Sequence, residues 1–193
     1  DNGLMAERMK YRYKKRPYRH QVAALKKLIS TGYGGALLME PRTGKTKVAI
    51  DYISILHTAG HANRILIAGP LVAIQVWKDQ LAENCPVPYR LTIWDGKGRK
   101  QNDLPSYGKD ILDIVIMNYD ALSTPGQFRV HRSGPKKGQP IVDADGVKLR
   151  SKSAGGRYTI KKKLLAWQPQ VIILDESHRI KSPSAKKSTA IHS

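Results

Sequence analysis

The chain alternates short, mostly apolar runs with longer stretches in which apolar residues recur every three or four positions. Ala36–Met39, Arg64–Ala68, Leu91–Trp94, Ile111–Met117 and Val171–Leu174 are runs of the first kind. Their length and continuity predict strands buried on both faces. The second kind predicts helices. Val22, Leu25, Leu28 and Ile29 keep helical spacing in a segment opened by Pro17 and closed by Gly32, Gly34 and Gly35. Thr46–Leu56 is apolar on most faces, and Leu71–Ala82 is amphipathic and contains Trp77. Residues 95–109 read as a loop or a broken helix, and Tyr158–Trp167 reads as helical. Asp145-Gly146, between two short apolar runs, is a hairpin signal inside the Gly-, Ser-, Lys- and Arg-rich stretch 124–157. No internal repeat is present. Strands alternating with helices predict an α/β fold, with a mostly parallel sheet and helices on both faces. Ligands of such sheets bind at the carboxyl ends of the strands, so the residues after each strand carry the most information.

Composition adds a partner to this picture. The chain has 193 residues, 34 Lys+Arg against 15 Asp+Glu, and a net charge of +19. The charge is concentrated. Residues 8–19 hold seven Lys/Arg and no acid, residues 124–163 hold eleven against Asp143 and Asp145, and residues 177–193 hold four and no acid. The remainder is close to neutral, which fits a globular core with three basic segments attached. Clustered basic charge favours a polyanion, and nucleic acid is the expected partner. Cys85 is the sole cysteine, which excludes an intrachain disulfide framework and a cysteine-rich zinc site. No apolar run approaches the ~18 residues of a membrane span. With a lone thiol, these features lead us to expect a cytoplasmic, nucleic-acid-associated protein.

Two strand ends carry chemistry. After Ala36–Met39 comes Glu40-Pro41-Arg42-Thr43-Gly44-Lys45-Thr46 and then a helix. Backbone N–H groups at such a turn, with the helix N-terminus behind them, form a nest for phosphate. Arg42, Thr43, Gly44, Lys45 and Thr46 are the candidate nucleotide-binding residues. Lys45 reaches β- and γ-phosphates, and the Thr46 hydroxyl is a Mg²⁺ ligand. The eight-residue phosphate-loop pattern is broken at its first position, where Met39 replaces Gly. At the other end of the chain, Val171–Leu174 runs into Asp175-Glu176-Ser177-His178. Two carboxylates at a strand end suit Mg²⁺ binding by Asp175 and activation of water by Glu176. The tryptophans Trp77, Trp94 and Trp167 read as core. His57 and His61 lack the intervening Glu of a zinc helix, and Asp143-Ala144-Asp145-Gly146 reads as a turn rather than half a calcium loop.

These motifs resemble those of the superfamily 2 helicase-like ATPases, and within them the Swi/Snf-type DNA translocases and their phage and bacterial relatives. Asp175-Glu176-Ser177-His178 resembles the DEAH-type motif II, with Ser177 for the usual Ala. Arg179–Lys186 resembles the stretch after that motif in the Swi/Snf branch. Pro17-Tyr18-Arg19-His20-Gln21 resembles the upstream Q-type motif, Ile65–Pro70 resembles motif Ia, and Ile116–Tyr119 resembles the motif Ic region. Arg42 stands where many relatives have Gly.

The resemblance implies a RecA-like P-loop NTPase lobe over residues 17–193, preceded by a mobile basic arm (1–16) and interrupted by a basic insertion at 124–157. It implies ATP and Mg²⁺ as cofactors, Gln21 reading the adenine edge, and His178 coupling the ATP site to the nucleic-acid motifs. It also implies Pro70, Asn118 and Tyr119 on the nucleic-acid face, and, through the phage and bacterial relatives, a prokaryotic or phage-infected cell. We add Lys136, Lys137, Lys148 and Arg150 of the basic stretch as candidate backbone contacts. Motifs beyond II and the second RecA-like lobe are absent from these residues. The implied sheet is therefore incomplete at its C-terminal end, the lobe belongs to a longer protein, and ATP turnover by this segment alone is weak or nil. The implied activity is ATP-driven movement along duplex DNA. An RNA-dependent helicase and a non-catalytic nucleic-acid-binding module are the alternatives.

Overall fold

A computed structural model describes residues 11–32, 34–94, 104, 108, 110–119, 133–136, 139, 141–142 and 163–177. The elements, in chain order, are α1 (Arg19–Ser30), α2 (Lys45–Thr58), β1 (Arg64–Gly69), α3 (Ala73–Asn84), β2 (Tyr89–Trp94), β3 (Leu112–Asn118) and β4 (Val171–Leu174). Residues 163–167 add a helical turn before β4. All four strands are parallel, in the order β2-β3-β1-β4. The alternation of side chains along β1 and β3 divides the core in two. Ile65, Ile67, Leu112, Ile114 and Ile116 face Ile50 and Ile53 of α2 and Trp77 and Leu81 of α3. Leu66, Ala68, Val115 and Met117 face Trp94, Leu164 and Trp167. Both faces are thus covered, as continuous apolar strands require. Trp77, Trp94 and Trp167 are all buried, in agreement with the core reading.

The direction of α2 follows from its exit. Its last turn closes against the start of β1: the amides of His61 and Ala62 donate to the Leu56 carbonyl, and His57 Nδ1 lies 2.8 Å from Asn63 Oδ1. A helix of 14 residues is about 21 Å long, and a strand of six is about 20 Å. The helix runs back alongside the sheet, so its N-terminus lies at the carboxyl edge of the strands. The same edge holds Gly69, Asn118 and Leu174, the last residues of β1, β3 and β4.

Two expectations change. Ala36–Met39 is not a strand. It joins no ladder, and Leu38 is 95% exposed. Leu37 and Met39 instead pack against the cluster formed by α1 and α2. Beyond β4 no further strand pairs among the described residues, and Ile172 is exposed. The second change concerns residues 11–16, expected within a mobile arm. Tyr11 is buried, and its hydroxyl donates to Asp51 Oδ1 at 3.2 Å. Asp51 Oδ2 accepts from Lys47 at 2.7 Å, and Lys47 lies over the Tyr13 ring. Lys14 donates to the Ala82 carbonyl and Lys15 pairs with Glu83, so the segment spans α2 and α3. Burial pushes the Asp51 carboxyl above the ordinary range, while Lys47 and Tyr11 pull it back. The hairpin signal at 145–146 lies outside the described residues.

Replacing a buried aromatic by Ala typically costs about 3–5 kcal/mol. Tyr11→Ala is expected to lower unfolding stability by about 3 kcal/mol in urea titration, because Asp51 also loses a donor. A truly mobile segment would show a change below about 0.5 kcal/mol.

Candidate nucleotide site

The carboxyl edge holds two clusters. The first is the phosphate turn. Gly44 is the N-cap of α2 with φ 83°, a left-handed conformation that favours glycine. A Cβ at this position would also land on the Gln21 amide. Gln21 itself is buried, with its Nε2 donating to the Thr43 carbonyl at 3.1 Å and its Oε1 accepting from the Tyr18 amide at 2.9 Å. In this structure Gln21 braces the turn, because a buried amide needs partners. His20 Nε2 lies 3.0 Å from the same Thr43 carbonyl, and its ring stacks on Tyr18, which is 71% exposed. The Thr43 hydroxyl donates to the Glu40 carbonyl at 2.6 Å. Lys45 Nζ donates to the carbonyls of Met39 and Glu40, at 3.1 and 3.0 Å, which draws the turn around the ammonium. Thr46 is half-buried in the first turn of α2. Arg42 is exposed at φ 64°, so the turn uses a left-handed residue that is not glycine.

The second cluster surrounds Asp175. Its amide donates to the Ala68 carbonyl at 2.8 Å, continuing the β1–β4 ladder one step past Leu174. Gly69 makes room, since a Cβ there would come within 3.3 Å of Asp175 Cβ. Asp175 Oδ2 accepts from Trp77 Nε1 at 2.9 Å, and its carbonyl accepts from the Tyr119 hydroxyl at 2.6 Å. Burial, with the charges of Asp175 and Glu176, pushes the Tyr119 phenol up to about 12, so it stays a donor at neutral pH. Glu176 is exposed, with φ 50° ending the strand sharply. Of the residues expected on a nucleic-acid face, Tyr119 is buried with its hydroxyl on Asp175, and Pro70 is buried with its carbonyl on the Ala73 amide. Both serve the interior of this edge. Asn118 is half-buried at the end of β3, and Lys136 is exposed. His178, Lys137, Lys148 and Arg150 lie outside the described residues.

The roles of Trp77 and Tyr119 toward Asp175 were not foreseen. Trp77 was legible only as a core position, and nothing in its spacing reveals that its N–H ends on a carboxylate 98 residues away.

The model of the SNF2-related domain matches residues 18–193. The chain belongs to this family. The fold is shared with the SWI2/SNF2 ATPase core of Sulfolobus solfataricus, solved in complex with dsDNA: the TM-score is 0.61 at 16% sequence identity, over 94% of this chain and 30% of that one. Among curated proteins no sequence matches. The SNF2-related lobe is thus a RecA-like, Swi/Snf-type member of superfamily 2, as its motifs implied. The chain spans under a third of the archaeal structure's length.

A left-handed non-glycine residue costs about 1–2 kcal/mol, partly offset by the rigidity it lends the unfolded chain. Arg42→Gly should therefore stabilise the lobe by about 0.5 kcal/mol in urea titration. It should also weaken nucleoside triphosphate binding, measured by calorimetry. Unchanged affinity would count against a phosphate contact by Arg42.

Proposed function

We propose that this lobe binds Mg-ATP at the carboxyl edge of its sheet and hydrolyses it when bound to duplex DNA, acting with a second RecA-like lobe to move along the duplex. What supports this reading is that Asp175 continues the β1–β4 ladder at the carboxyl edge of the sheet, and that the phosphate turn caps a helix whose exit closes on the start of β1, in a chain of the SNF2-related family. The dsDNA in the archaeal neighbour and the net charge of +19 support a nucleic-acid partner.

The residues fit a divalent cation. Asp175 has one carboxylate oxygen on Trp77, which leaves the other outside that bond, and Thr46 offers a hydroxyl in the first turn of α2. Oxygen donors with room for water suit Mg²⁺. Held by Asp175 and Thr46, Mg²⁺ would supply positive charge to neutralise the phosphates of the nucleotide. Thr43, Gly44 and the first amides of α2 bind the phosphates, and Arg42 adds a guanidinium. Lys45 exchanges the carbonyls of Met39 and Glu40 for phosphate oxygens. Glu176 orients the attacking water and takes its proton. His178 links this edge to the DNA-binding surface. Lys136, Lys137, Lys148 and Arg150 contact the DNA backbone, and Asn118 lies close to it. Residues 1–16 precede the lobe, and the basic stretch at 124–157 is an insertion within it.

General-base contributions are typically 10²–10⁴-fold. In the protein that carries both lobes, Glu176→Gln should keep Mg-ATP affinity within about threefold and lower DNA-stimulated hydrolysis by at least about 100-fold. Steady-state assays with duplex DNA, single-stranded DNA and RNA locate the activator. Hydrolysis unaffected by the substitution, or stimulated by RNA alone, contradicts the proposal.

A further inference from the structure

Trp77 lies on α3, eight residues beyond Gly69 at the end of β1, and is 2% exposed. Its ring packs in the cluster formed by α2, α3 and the sheet. A buried indole N–H needs an acceptor. This N–H reaches Oδ2 of Asp175 at 2.9 Å. The backbone of Asp175 is held at two further points, its amide on Ala68 and its carbonyl on Tyr119. Its backbone is therefore fixed, and rotation of the carboxyl group is the freedom that remains. The indole removes it.

We infer that Trp77 is a positioning residue: its N–H pins one oxygen of Asp175 and so determines which oxygen is left for Mg²⁺. The inference rests on Asp175 being the Mg²⁺ residue. It also assigns α3 a function. Trp77 belongs to this helix (Ala73–Asn84), so whatever shifts α3 shifts the donor on Asp175. A charge-assisted N–H···O⁻ bond is both directional and strong, and outer-shell partners of metal ligands commonly contribute 10–100-fold to metal affinity.

The test is the binding of a fluorescent ATP analogue, measured with Mg²⁺ and again with EDTA, for wild type, Trp77→Phe, Asp175→Asn and the double variant. Circular dichroism melting checks each fold. The expected result has three parts. Asp175→Asn abolishes the Mg²⁺-dependent gain in affinity. Trp77→Phe reduces that gain about tenfold and leaves the EDTA affinity unchanged. The double variant is no worse than Asp175→Asn. A benzothiophene side chain at position 77 keeps the ring shape without the N–H, and should reproduce the loss if Trp77→Phe melts too low to assay. If Trp77→Phe and the benzothiophene variant keep the full Mg²⁺ gain, or weaken binding equally with and without Mg²⁺, Trp77 is only a core residue and the inference fails while the Asp175 reading stands. If Asp175→Asn keeps the gain, the Asp175 reading fails and takes the inference with it.

Discussion

One hydrogen bond decides where the acidic end of the sheet lies. The Asp175 amide donates to the Ala68 carbonyl at 2.8 Å, so the β1–β4 ladder runs one step beyond the apolar part of β4. That step carries the chain from aliphatic residues to two carboxylates with no intervening loop. It requires a glycine opposite, because Gly69 faces Asp175 too closely for another side chain to fit easily. It also brings Asp175 under Trp77 and Tyr119, which come from α3 and the end of β3. The phosphate turn reaches the same edge by a different route, through α2 running antiparallel to β1. Parallel strands and a returning helix direct two motifs from opposite ends of the sequence toward the same side of the sheet.

Much of this was legible in the sequence. The apolar runs located all four strands; for β1 and β3 the reason is burial on both faces, which leaves little choice of residue, while the edge strands β2 and β4 are apolar but only partly buried. Gly-Lys-Thr before a helix and Asp-Glu after a strand gave the two clusters without reference to their contacts. Three features were illegible, for distinct reasons. Ala36–Met39 has a strand's composition, but composition does not say where a run pairs, and this one packs Leu37 and Met39 against the cluster of α1 and α2 without joining the sheet. The segment from Tyr11 to Arg16 reads as polar and basic, yet its two tyrosines and two lysines find partners on α2 and α3 that only the tertiary fold supplies. Gln21 and Tyr119 were read from family position as ligand-facing, while the structure buries both in bonds to the two motifs themselves.

The described residues give the buried polar groups a division of labour. Asp51, Lys47 and Tyr11 tie the N-terminal segment to the far side of the helix that begins at Lys45. Gln21 and His20 tie α1 to the turn itself. Trp77 and Tyr119 tie α3 and β3 to the acidic strand end. Each functional backbone segment is thus held by side chains from elements other than its own. Such bracing suits a site that must bind a charged ligand with little reorganisation. It also means that movement of α3 or β3 is felt at Asp175 through direct bonds.

The central claim is that the phosphate turn and the acidic strand end form a single nucleotide site. Amide hydrogen exchange tests it most directly, with Mg-ATP titrated onto the protein and protection followed over residues 40–48 and 171–177. The account predicts that both segments gain protection with the same midpoint concentration. Protection confined to the phosphate turn, with the acidic strand end unresponsive at saturation, would contradict it.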